Sequence, residues 1–253
     1  MRSAPLLFQS IFFFFFFLQS LGEIGISKEK EKNVSSKIKL WGGTIFYKNG
    51  HVSEIHLHDT KRAKGQLSIL HHFPALTDLS LENTKLNDKD LETITALPNL
   101  KWLNLYRTNI NDEGARILSS SESICFLPVG QTKITDHSLA HFSKMKQLAY
   151  LGLRANPITD KSAKYLATLK KLESLYLGET EVSDLTVQKI STLPNLQTLW
   201  LHDLEITDHS IPYLARIQSL TELHIYATRI TDKGASRLQD LLPECRVIHE
   251  TFP

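Results

Sequence analysis

Apolar residues recur in this chain on two alternating spacings, and the alternation repeats every 24 residues. From Val52 onward a short stretch is apolar at positions one, four and six, as in Leu76-Thr-Asp-Leu79-Ser-Leu81 and Leu148-Ala-Tyr-Leu151-Gly-Leu153. That pattern predicts a strand with one face buried. Apolar residues then fall three apart, at Leu91, Ile94 and Leu97, at Leu139, Phe142 and Met145, and at Val187, Ile190 and Leu193. Such spacing predicts a helix of roughly eight or nine residues with one apolar face. Eight units begin at Val52, Leu76, Leu100, Ile124, Leu148, Leu172, Leu196 and Leu220, with no insertion or deletion as far as Leu241. A fixed period in this range predicts a solenoid, in which each unit packs only on its neighbours. Function is then expected on a long exposed surface rather than in a deep pocket.

Polar residues punctuate the period. Position nine is Thr60, Thr84, Thr108, Thr132, Asn156, Thr180 and Thr228, where a hydroxyl or amide is expected to bond the backbone of the neighbouring turn. Positions twelve and thirteen read Asn87-Asp88, Asn111-Asp112, Thr135-Asp136, Thr159-Asp160, Ser183-Asp184, Thr207-Asp208 and Thr231-Asp232. Asn, Thr or Ser followed by Asp is a helix N-cap with a carboxylate at the positive end of the macrodipole. Leu97-Pro98-Asn99 and Leu193-Pro194-Asn195 then stop the helix, because proline forbids its continuation. Strand, turn, helix and turn, with parallel strands about 4.8 Å apart, predict a curved α/β horseshoe. The parallel sheet lines its concave face and short helices its convex face. Unit one departs with Arg62 at an apolar position and Ala63-Lys64 in place of the cap; unit four has Pro128 in mid-strand and unit seven Leu204 at position nine.

The ends read differently. Arg2, an apolar run from Leu6 to Leu18, and small residues at Ser20 and Gly22 predict a secretory signal peptide over residues 1–22, cleaved before Glu23. The run is short against the ~20 residues of a membrane span, so the chain meets a membrane only if this segment stays uncleaved. Residues 23–51 hold a polar segment and then Thr44-Ile-Phe-Tyr47, separated from the first repeat strand by Lys48-Asn49-Gly50. Asn-Gly between two β-prone runs predicts a hairpin, whose outer strand covers an open sheet edge. The eight units fill residues 52–243, and residues 244–253 are expected to be a C-terminal cap. There Leu242-Pro-Glu-Cys245-Arg-Val-Ile248 repeats the entry to a strand one residue late.

The string L-x-x-L-x-L-x-x-T/N-x-I/L-T/N-D, with its closing Leu242-Pro-x-Cys-x-Val247, resembles the leucine-rich repeat proteins. Within them it is similar to an exported bacterial group whose repeats read T-x-I-T-D-x-x-L, and Trp41 to Val52 resembles that group's entry hairpin. The likeness spans residues 40–249 and implies the solenoid fold. With the signal peptide it implies a secreted, periplasmic or cell-surface protein. It says little about function, because repeat scaffolds carry many interactions. The related cysteine-rich repeats of ubiquitin-ligase adaptors are a remote alternative, since no F-box-like segment precedes these units.

Removing Arg2 leaves 28 basic against 27 acidic residues, a balance that offers nucleic acid no electrostatic footprint. Cys125 and Cys245 lie five units apart and are expected to be small apolar fillers rather than a disulfide. The column from Asp88 to Asp232 could be drawn as a metal ladder, but its carboxylates are already explained as helix starts. His56 and His58 beside Glu82 could hold zinc, yet polar residues on a solvated strand are the commoner explanation. No metal and no cofactor are expected. Neither G-x-S-x-G, a phosphate-binding glycine loop nor H-E-x-x-H occurs, so no catalytic residue is assigned.

The concave face is the informative surface. Strand positions two, three, five, seven and eight point outward and hold seven of the fifteen aromatics that follow the signal segment, where random placement gives two or three. These are Trp102, Tyr106, Phe126, Tyr150, Tyr176, Trp200 and Tyr226, and Arg107, Arg154, His202 and His224 join them as the expected ligand-binding residues. Trp102, Phe126 and Tyr150 fall at position three of adjacent strands. Aromatics among charged residues have the composition of a binding hot spot, although the same rings could serve only to brace the sheet. The reading is a non-catalytic binding module for a protein or peptide. Its alternatives are a carbohydrate-binding surface and a structural envelope protein without a defined ligand.

Overall fold

The computed structural model describes residues 29–60 and 65–249. The expected signal peptide, Arg62, Ala63-Lys64 and the last four residues lie outside the described residues. Ten strands form one sheet in chain order. They are β1 (Thr44–Lys48), β2 (His51–His56), β3 (Asp78–Ser80), β4 (Trp102–Asn104), β5 (Phe126–Pro128), β6 (Tyr150–Gly152), β7 (Ser174–Tyr176), β8 (Thr198–Trp200), β9 (Glu222–His224) and β10 (Arg246–Ile248). Strands β1 and β2 are antiparallel, joined through Asn49 and Gly50 at φ 53° and 79°, both left-handed as a tight hairpin turn demands. From β2 onward the pairing is parallel, and partners differ by one period, as in Leu151 with Leu175 and Leu199 with Leu223. Positions one, four and six are buried in every unit, and together with the helix residues they form one continuous core.

Pro128 has a local cost. It lacks an N–H, and β4 pairs with β5 only at Trp102 and Phe126, while its carbonyl still accepts from Leu105 N at 2.9 Å. At the far end β10 keeps the 24-residue register, with Val247 opposite Leu223. The buried residues here are nonetheless Cys245, just before the strand, and Ile248 within it, so the side chains slip where the backbone does not. Both cysteines are free.

The helices are α1 (residues 29–40), α2 (Asp88–Thr95), α3 (Asp112–Leu118), α4 (Asp136–Phe142), α5 (Ala163–Leu166), α6 (Asp184–Ile190), α7 (Ile211–Leu214) and α8 (Asp232–Leu241). Helix α1 closes the N-terminal end: Ile38 enters the core and the Glu31 carboxylate accepts from Val52 N at 2.5 Å. Most repeat helices are shorter than the sequence predicts, with seven residues in α3, α4 and α6 and four in α5 and α7. In units five and seven a 3-10 turn, Asp160–Ser162 and Asp208–Ser210, precedes the four-residue α-helix. Unit one has a 3-10 helix, Leu67–His72, in the unit whose sequence lacks the cap pair.

Every cap from Asn87 to Thr231 accepts a hydrogen bond from the first turn of its helix. The aspartates do more than face a dipole. Asp112 accepts from Thr135 N and Oγ1 of the next unit, at 3.0 and 2.8 Å. Asp136, Asp160, Asp184 and Asp208 repeat this bond with Thr159, Ser183, Thr207 and Thr231. Position nine needs a correction. Thr84, Thr108, Thr132, Thr180 and Thr228 donate to the carbonyl three residues back in their own turn, while Thr60 reaches Trp41 O of the preceding segment at 3.1 Å. Asn156, with a longer amide, reaches Val129 O of the preceding unit at 2.8 Å.

Candidate functional site

Positions three, five and seven form three columns across the concave face. Trp102, Phe126 and Tyr150 are register partners in column three of β4, β5 and β6. Phe126 is the most exposed of them, at 38%. Gly152, Tyr176, Trp200 and His224 are successive partners in column five. Gly152 leaves an empty slot, and the Tyr150 ring folds into it: a Cβ there would meet the phenol oxygen at 3.1 Å. The rings then run without a break. Tyr150 meets Tyr176 edge-on at 4.9 Å, Tyr176 stacks on Trp200 at 4.5 Å, and Trp200 lies 4.1 Å from His224. These intervals are close to the ~4.8 Å between strands.

Column seven works in the same way. A Cβ on Gly178 would stand 2.1 Å from His202 Cε1, so the imidazole occupies that slot and stacks on Tyr226 at 4.9 Å. A Cβ on Gly130 would stand 2.9 Å from the Tyr106 ring. His202 and His224 are therefore not part of an exposed rim. They are 1% and 9% exposed, roofed by their neighbours' rings.

Between the rings lies a hollow of about 340 Å³. Pro128, Gly130, Gly152 and Gly178 put little side-chain bulk there, while Tyr106, Tyr150, Tyr176 and Trp200 also line it. Burial pushes the phenols of Tyr150 and Tyr176 above the ordinary tyrosine range, so both remain neutral hydroxyls. Burial lowers the pKa of His202, which favours the neutral imidazole. Trp200 Nε1 and His202 Nδ1 are buried without a hydrogen-bond partner. At the margin Arg154 Nε donates to Glu179 Oε1 at 2.7 Å, and Arg107 donates to Gln131 and lies 5.2 Å from the Tyr106 ring.

His56 and His58 do not converge on a metal geometry with Glu82. His56 Nε2 lies 2.5 Å from Glu54, whereas His58 Nδ1 is 3.8 Å from Glu82 and 3.3 Å from Ser80 Oγ. Among the described residues, Glu179, His202 and Asp203 are the group close enough to share an ion.

No protein-family model matches this chain, and no curated protein matches its sequence. Solved structures do match. Internalin C2 of Listeria monocytogenes superposes with a TM-score of 0.62 at 24% identity, over 80% of this chain and 82% of its own. The ectodomain of the Arabidopsis receptor kinase HAESA, in complex with an extended IDA peptide hormone, gives 0.62 at 18% identity over 88% of this chain and 41% of its own. A leucine-rich repeat protein of Leptospira interrogans gives 0.52 at 17% identity, over 77% and 60%. The fold is the leucine-rich repeat.

In this leucine-rich repeat protein the outward columns were legible from the period, but two features of the surface were not. The glycine slots read as gaps in a column, yet they decide which way the rings lie. Position eight holds the left-handed backbone in all eight repeats, at Asp59, Asn83, Arg107, Gln131, Ala155, Glu179, Asp203 and Ala227, with φ between 51° and 57°. Of the residue types found there only Asp and Asn adopt it readily, so the varied residues gave no signal.

Proposed function

We propose that the chain is a non-catalytic, exported binding module that takes a protein or peptide ligand on its concave face. The observation that supports this most is the hollow of about 340 Å³ among stacked rings. It offers a side chain an apolar seat, and Trp200 Nε1 beside it lacks a partner. Buried donors are normally satisfied, so an acceptor carried by a ligand gives this one a role. A leucine-rich repeat ectodomain that holds a peptide hormone is a precedent for the ligand class. Export rests on residues 1–22 as a signal peptide, and among the described residues no helix is long and apolar enough to cross a membrane.

Tyr106 lines the hollow, and Trp102 stands beside Phe126 in column three of the same face. Tyr106→Ala and Trp102→Ala should each weaken capture by the immobilised protein roughly thirtyfold, the loss of about 2 kcal/mol typical of a hot-spot aromatic. Thermal melts should shift little. Intact capture with a large fall in melting temperature would mean that the rings only brace the sheet. Capture that survives protease treatment of the extract but is competed by oligosaccharides would move the ligand to the carbohydrate class.

A further inference from the structure

Glu179, His202 and Asp203 occupy positions eight, seven and eight of two adjacent repeats, beside the hollow. One donor atom from each lies within 4.8 Å of the others. The backbone sets this up. Both carboxylates hang from left-handed residues, at φ 57° and 55°, and Glu179 N donates to His202 O at 3.1 Å. Arg154 engages Glu179 through one oxygen only, since its Nε and Nη2 both donate to Oε1.

His202 is the second observation. It is 1% exposed, and its Nδ1 makes no hydrogen bond although it stands 3.3 Å from an Asp203 carboxylate oxygen. A buried nitrogen in this state is costly unless something else binds it. We infer that Glu179, His202 and Asp203 form a binding site for a divalent transition-metal cation of the zinc type. Tetrahedral bonds of about 2.0–2.2 Å place neighbouring donors about 3.3–3.5 Å apart, which is the spacing of Nδ1 and the Asp203 oxygen. One imidazole with two carboxylates suits zinc better than calcium or magnesium, which take oxygen shells. The ring is already held, seated on Gly178 and stacked on Tyr226. Packing on both sides locks the rotamer of the imidazole. Three protein ligands leave a fourth coordination position for water or for an oxygen of a bound molecule.

Calorimetric titration of the full chain with zinc alone tests the site, with calcium and magnesium as controls. Zinc should bind at one equivalent with micromolar or tighter affinity, and the controls should not compete. Asp203→Asn keeps a residue that tolerates the left-handed backbone and should weaken zinc at least about tenfold, as should Glu179→Gln. His58→Gln, at the other end of the sheet, should leave it unchanged. Cobalt in place of zinc should quench indole emission through Trp200, whose ring lies 5.8 Å from that of His202, and Asp203→Asn should move the quench to at least about tenfold higher cobalt. No stoichiometric zinc binding, or binding unaffected by Asp203→Asn and Glu179→Gln, overturns the site. The titration uses no protein ligand, so its outcome is independent of the proposed binding function.

Discussion

At the scale of single residues, side chains that are missing shape the concave face as much as those that are present. Gly152 admits Tyr150, and Gly178 admits His202. Gly178→Ala puts a methyl 2.1 Å from the imidazole, and overpacking of this kind costs about 1–3 kcal/mol. Calorimetric melting of the variant should show that loss. An unchanged melting temperature would mean that His202 does not sit over Gly178. The leucines at positions four and six were legible in the sequence because each has one buried side to choose. The rings were legible only as outward-facing residues. Whether an outward ring stands in its own column or leans into the next depends on the room beside it, and period alone does not carry that. The histidines show the same gap: a polar residue at an outward position reads as exposed until its neighbours' rings close over it.

At the scale of elements, the caps explain why strands of only three residues stack without slipping. The helix starts were legible as Thr-Asp and Asn-Asp pairs. The second duty of the aspartate was not, because it falls on a residue about 23 positions away in the chain, such as Ser183 for Asp160. Burial alone would raise the Asp160 pKa, but hydrogen bonds from Ser183 and Thr186 outweigh it and hold the carboxyl below its ordinary value. Asp112 is lowered in the same manner, through Ser138 and Thr135. A depressed carboxylate contributes stability above its unfolded pKa of about 3.9 and loses it as pH falls through the folded value. Melting temperature should therefore fall in acid below about pH 4. Asp160→Asn should cost on the order of 1–3 kcal/mol near neutrality, since an amide replaces an acceptor of several donors. It should also flatten the acid limb of the melting curve. An acid limb identical to that of the parent would show that the aspartate does not sense its neighbours.

At the scale of the whole molecule, the unbroken period made the solenoid readable from Val52 to Leu241, whereas the ligand remained unreadable. Period is a property of packing, and ligand choice depends on a few outward residues that differ from repeat to repeat. The N-terminus can be checked directly. If residues 1–22 are a signal peptide, sequencing of the exported protein should begin at Glu23; membrane-bound protein that retains Met1 would make the segment an anchor. The chain of aspartates has a further meaning. Every bond in it runs the same way, from an acceptor in one repeat to a cap in the next, as from Asp136 to Thr159 and from Asp184 to Thr207. A ribosome delivers these repeats in that order. From Asp112 to Asp208 each acceptor is thus synthesised before the cap residue that donates to it. The solenoid has a grain, and synthesis runs along it.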